Sequence, residues 1–96
     1  CESFGIPAVE AQLFGTPVVG AAVCAMPEIG GAGGVFCDPD DVAGLATALE
    51  RLLTDDAEWR RLSDLARQNA ARFAWSHVSR PLIALFAECA TGTIRP

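Results

Sequence analysis

The stretch Pro7-Ala8-Val9-Glu10-Ala11-Gln12-Leu13-Phe14-Gly15-Thr16-Pro17-Val18-Val19-Gly20-Ala21 changes its pattern halfway, and that change decides the fold. Proline suits the first turn of a helix, because the N–H it lacks would be unpaired there in any case, and Gly15 supplies a stop. Residues 7–14 therefore read as a helix. Pro17 to Ala21 is a short β-branched run between breakers, which reads as a buried strand by length and composition. Working outward, a loop holds Met26-Pro27-Glu28-Ile29. The glycine-rich Gly30-Gly31-Ala32-Gly33-Gly34 then leads into Val35-Phe36-Cys37, a second short strand. Helices alternating with short apolar strands imply an α/β fold with a parallel sheet.

Beyond residue 38 the pattern is helical. Asp38-Pro39-Asp40-Asp41 reads as a helix start, with Asp38 as N-cap, Pro39 in the first position and carboxylates at the positive end of the helix dipole. Val42, Leu45, Leu49, Leu52 and Leu53 then form one apolar face. Asp55 and Glu58 stand at capping-box spacing, and the helix they open is expected to turn Trp59, Leu62, Leu65, Ala66 and Asn69 inward. A last helix runs from Trp75 to Cys89, with a kink or restart where Pro81 disfavours helical geometry at Arg80. The expected architecture is a partial Rossmann-like α/β fold of two or three short parallel strands and about four helices. Residues 1–37 hold the strands, and residues 38–96 are helical. Such a sheet has unpaired edges, so self-association with another copy is expected.

The 96 residues are 51 % hydrophobic and 20 % charged, ordinary values for a folded domain. No apolar run reaches the roughly 18 residues of a membrane span. The net charge of −5 conceals an asymmetry: residues 1–50 contain seven acids and no base, whereas residues 51–96 contain five acids and seven arginines. An acidic half without a cation is poor at holding a nucleic-acid backbone, and arginines at helical spacing read as a solvated face. Nucleic acid is therefore not an expected partner. The four cysteines form no Cys-x-x-Cys pair, so reduced, mostly buried thiols in a cytoplasmic setting are expected. His77, alone between Trp75 and Val78, reads as structural or surface.

Chemistry concentrates in Glu2-Ser3-Phe4-Gly5-Ile6-Pro7-Ala8-Val9-Glu10, where two glutamates straddle a glycine turn at a helix start. A helix N-terminus exposes unpaired N–H groups that bind phosphate without a basic side chain. Phe4, Gly5 and Ile6 can donate; Pro7 cannot. Gly5 permits positive φ or close approach to a ligand. Glu10, one turn in and tilted back toward the N-terminus, can accept bonds from paired hydroxyls, and Glu2 presents a second carboxylate across the turn. On residue types alone, a plain loop-to-helix joint accounts for the stretch more readily than a ligand site does.

The same residues, followed by Gly15-Thr16-Pro17-Val18-Val19, resemble the Glu-x7-Glu signature of retaining, nucleotide-sugar-dependent glycosyltransferases of the GT-B fold, the group 1 glycosyltransferases. Pro27-Glu28, Gly33-Gly34-Val35-Phe36, Asp38-Pro39-Asp40-Asp41 and Phe73-Ala74-Trp75 continue the pattern in order. The resemblance implies that Glu2 lies against the transferred sugar as the catalytic carboxylate. It also implies that the amides of Phe4, Gly5 and Ile6 meet the donor and that Glu10 binds the ribose hydroxyls. No metal and no cofactor are implied. The family retains configuration by front-face displacement, and it supplies an Arg/Lys pair for the diphosphate from sequence upstream of the motif. The chain opens on Cys1, so the expectation is the C-terminal part of a donor-binding domain, with the N-terminal domain of the parent as partner and no turnover on its own. The parent would be cytoplasmic, at the inner face of the membrane in some settings. Two other readings stand beside it. A sugar-nucleotide epimerase of the same architecture shares the Glu10-to-Val18 pattern but has Ser-Gly-Gly where this chain has Ser3-Phe4-Gly5. The other is an interaction module that has lost its chemistry.

Overall fold

The computed structural model describes residues 3–93. The chain is α/β, with order α1 (Ile6–Leu13), β1 (Val18–Ala21), α2 (Met26–Gly30), a 3-10 turn (Gly31–Gly33), β2 (Gly34–Cys37), α3 (Val42–Thr54), α4 (Asp56–Ala71), α5 (Trp75–Val78) and α6 (Arg80–Ala90). β1 and β2 pair in parallel, Val18 opposite Gly34 and Ala21 opposite Cys37. Among the described residues, four helices have eight or more residues, as the periodicity implies.

Local chemistry explains most boundaries. α1 has its proline in the first turn, and Gly15, at φ 72°, turns the chain out of the helix toward β1. Asp55 caps α4 by accepting the Glu58 amide at 3.0 Å. The Glu58 side chain does not complete the reciprocal box; it takes two bonds from Arg61, at 3.0 and 2.7 Å. That hydrogen bond holds the Glu58 carboxyl below its ordinary range, against desolvation and with help from the charge of Arg51. Asp55→Ala is expected to cost about 1 kcal/mol of stability by leaving the α4 amides uncapped, a loss that thermal melting followed by circular dichroism would register.

The structure corrects several expectations. Met26 to Ile29 is not a loop but most of α2, a five-residue helix with its proline in the first turn. α3 begins three residues later than the Asp38-Pro39 start implies, because Asp38 Oδ1 accepts the Asp40 amide at 2.9 Å and closes a separate turn. Asp41 is the N-cap, accepting the Gly44 amide at 2.9 Å. Its apolar face is left open: α3 has no buried residue, and Leu53 is 83 % exposed. Trp59, expected inward, is 41 % exposed, whereas Leu62, Ala66 and Asn69 are buried. Cys24 is disulfide-bonded and Cys89 is an exposed free thiol, so neither fits the expectation of buried, reduced cysteines. The break before Pro81 is observed, α5 ending at Val78 and α6 beginning at Arg80.

The core lies where α1 and the 3-10 turn meet α4. Ala8, Val9, Leu62, Ala66 and Ala70 are its buried apolar residues, so it is built largely from small side chains that let backbones approach. Gly33 packs directly on the Ala66 backbone. The pairs Gly15 with Arg67, Gln12 with Asn69 and Phe4 with Phe73 succeed one another, so α1 and α4 run antiparallel. α6 buries no residue, and the molecule extends over 57 × 27 × 15 Å. Among the described residues, no helix is long and apolar enough to cross a membrane.

Candidate functional site

The helix start singled out by the sequence is the N-terminus of α1. Gly5 is buried and sits at φ 87° and ψ 54°, a left-handed conformation at the N-cap of α1 that a residue with a Cβ adopts at a cost. As a glycine, the N-cap residue itself contributes no side-chain cap. Glu10 lies one turn into α1, exposed, and its carboxylate makes no hydrogen bond or ion pair to another described residue. Glu2 lies outside the described residues. The structure thus brings Phe4, Gly5, Ile6 and Glu10 to one end and flank of α1.

Those residues border a groove of about 510 Å³ between α1 and the corner joining α4 to α5. Phe4, Ile6 and Glu10 form one side; Phe73, Trp75 and Val78 form the other. The walls are apolar apart from the Glu10 carboxylate, and Trp75 is 84 % exposed. The Phe4 and Phe73 rings meet edge to face, centroids 5.3 Å apart at 81°, and tie the glycine turn to the end of α4.

Between α1, α4 and the end of α2 lies a polar cluster that the sequence reading did not identify. Gln12 is fully buried; its Nε2 donates to the Gly30 carbonyl at 2.8 Å, and its Oε1 accepts from Asn69 Nδ2 at 2.6 Å. Asn69 Nδ2 also donates to the Ile29 carbonyl at 2.8 Å, and Asn69 Oδ1 accepts from Arg72 Nε at 2.7 Å. Arg72 Nη2 donates to the carbonyls of Glu28 and Ile29. The carbonyls of Glu28, Ile29 and Gly30 at the end of α2 are therefore all taken by side chains from α1, α4 and Arg72. These are groups a helix end leaves without intrahelical partners. One signal for Gln12 was available: it stands four residues after Ala8 and three after Val9, on the small-residue face that α1 buries.

Among the described residues, no group of three His, Cys, Asp or Glu side chains could hold a metal ion. His77 is exposed and takes no part in the groove described here.

The chain is α/β, with a glycine-opened helix start and an exposed carboxylate one turn on, and comparison with known proteins shows its family. The family model for glycosyl transferases group 1 matches residues 1–69, and the chain belongs to that family. It is 38 % identical over 92 residues to a D-inositol 3-phosphate glycosyltransferase of Corynebacterium urealyticum, covering 94 % of this chain and 22 % of that protein. It is 37 % identical over 98 residues to a glycogen synthase of Mycobacterium tuberculosis, covering 99 % of this chain and 24 % of that protein. The chain thus spans under a quarter of the length of these curated relatives. No solved structure matches it significantly.

Proposed function

We propose that this chain is the C-terminal part of the donor-binding domain of a retaining GT-B glycosyltransferase, and that the end of α1 binds the nucleotide-sugar. The observation that carries this reading is Glu10: an exposed carboxylate without a protein partner, one turn from an N-terminus opened by a left-handed glycine. An unpartnered carboxylate in that place suits a vicinal diol, which donates two hydrogen bonds to one charged acceptor.

In this reading the ribose sits at Glu10, the diphosphate faces the amides around Phe4, Gly5 and Ile6, and the Glu2 carboxylate lies against the sugar being transferred. The leaving diphosphate takes the proton of the attacking acceptor hydroxyl on the same face, so the new bond keeps the configuration of the old. Neither a metal nor a cofactor is called for. Stabilising the departing diphosphate requires positive charge aimed at it. Arg72, whose ring neighbour Phe73 abuts Phe4, has its guanidinium committed to the carbonyls of Glu28 and Ile29. The cation is therefore assigned to the remainder of the enzyme, and the chain alone is expected to bind donor without turnover. The enzyme's place of work is proposed to be the cytoplasm, where nucleotide-sugars are supplied.

The test is Glu10→Gln in the glycosyltransferase that carries this chain, with donor affinity measured by calorimetry. Losing a charged hydrogen-bond acceptor costs about 1.5–3 kcal/mol, so donor binding should weaken roughly 10- to 150-fold. Unchanged donor affinity would remove the ribose role from Glu10.

A further inference from the structure

We propose that Arg72 is a positioning residue of the candidate site, holding the α2 corner and the Phe4-Gly5-Ile6 turn in one fixed relation. Its role in ligand binding rests on the donor-site reading; the mechanical coupling does not. Arg72 reaches two places at once. Its guanidinium donates to the carbonyls of Glu28 and Ile29 and to Asn69 Oδ1, which spans the end of α2 and the buried cluster. The same guanidinium lies over the Phe73 ring, 4.6 Å from its centroid, and Phe73 meets Phe4 edge to face. Phe4 directly precedes Gly5, whose left-handed backbone sets the direction of α1. The chain of contacts therefore runs from α2 through Arg72, Phe73 and Phe4 to the glycine turn.

The chemistry explains why arginine suits this position. A planar guanidinium presents several N–H groups in its plane while its face stacks on an aromatic ring, so it can bond carbonyls and cover Phe73 simultaneously. Lysine offers a rotating point charge that can satisfy a carbonyl but cannot keep both carbonyls, Asn69 and the ring in one geometry. The α2 end depends on this support, because Gly31 follows at φ 54° and turns the chain away from the helix.

The experiment compares the full chain with Arg72→Gln and Arg72→Lys by amide NMR, and titrates each with uridine diphosphate and adenosine diphosphate. In Arg72→Gln the amide signals of Phe4, Gly5 and Ile6 should move together with those of Glu28, Ile29 and Gly30, while α3 signals such as Gly44 stay in place. Diphosphate binding should weaken about tenfold and be partly restored in Arg72→Lys. A folded Arg72→Gln chain with unmoved Phe4 to Ile6 amides, or with undiminished diphosphate binding, overturns the proposal. If Arg72→Gln does not fold, Arg72→Lys carries the same comparison. Absence of diphosphate binding by the unaltered chain would count against the donor reading alone, and the amide shifts would still decide the positioning role.

Discussion

Gly33→Ala should lower the thermal unfolding midpoint by roughly 10–20 °C, a loss of about 2–3 kcal/mol in a chain this small. A Cβ at Gly33 would fall 2.6 Å from the Ala66 backbone nitrogen and 2.9 Å from Gln12 Nε2. A flexible side chain could move aside, but the Ala66 backbone belongs to the middle of α4 and cannot move without shifting the helix. Ala66 is itself fully buried, so no space exists for the displacement. Gly20→Ala is the matched control: its Cβ would meet the Phe36 ring at 3.4 Å, an ordinary contact, and the midpoint should barely change. Equal melting of the Gly33 and Gly20 variants would show that the 3-10 turn does not press on α4 as described.

Gln12→Leu should destabilise the chain by about 2–4 kcal/mol in urea denaturation, although leucine is of similar size and more apolar. The loss arises from the groups left behind. Gly30 forfeits the donor to its carbonyl and Asn69 Nδ2 forfeits one acceptor, at a position where Gln12 is inaccessible to water. Each buried group without a partner costs about 1–3 kcal/mol. Asn69→Leu removes the other side of the same bond, so the two losses should not add. The double variant should show a coupling of about 0.5–3 kcal/mol, since once one member has gone the other has less to lose. Additive losses would mean that Gln12 and Asn69 act independently.

Much of the architecture was legible because it is written in short-range chemistry. Pro7 and Gly15 bracket α1, Asp55 caps α4, and Pro81 separates α5 from α6; each effect needs only neighbouring residues. The α2 helix was not legible, since five residues with a proline and a terminal glycine carry no periodicity. Its carbonyls are stabilised by Gln12, Asn69 and Arg72, which lie 18 to 44 residues away from their acceptors in the chain. The α3 start differs from the expected one because Asp38 and Asp41 are both competent caps, and local sequence does not rank an Asp turn against an N-cap three residues later.

The candidate site divides in the same way. The glycine turn, the position of Glu10 and the family they point to follow from residue identity and order, since a left-handed glycine at a helix start and a carboxylate one turn on are properties of adjacent residues. The Phe73 and Trp75 wall, the burial of Gln12 and the reach of Arg72 depend on α1 lying antiparallel to α4. That packing is made by Ala8, Val9 and Gln12 of α1 meeting the buried face of α4, with Gly33 of the 3-10 turn seated on the Ala66 backbone beside them, a fit between distant positions that no one segment carries alone.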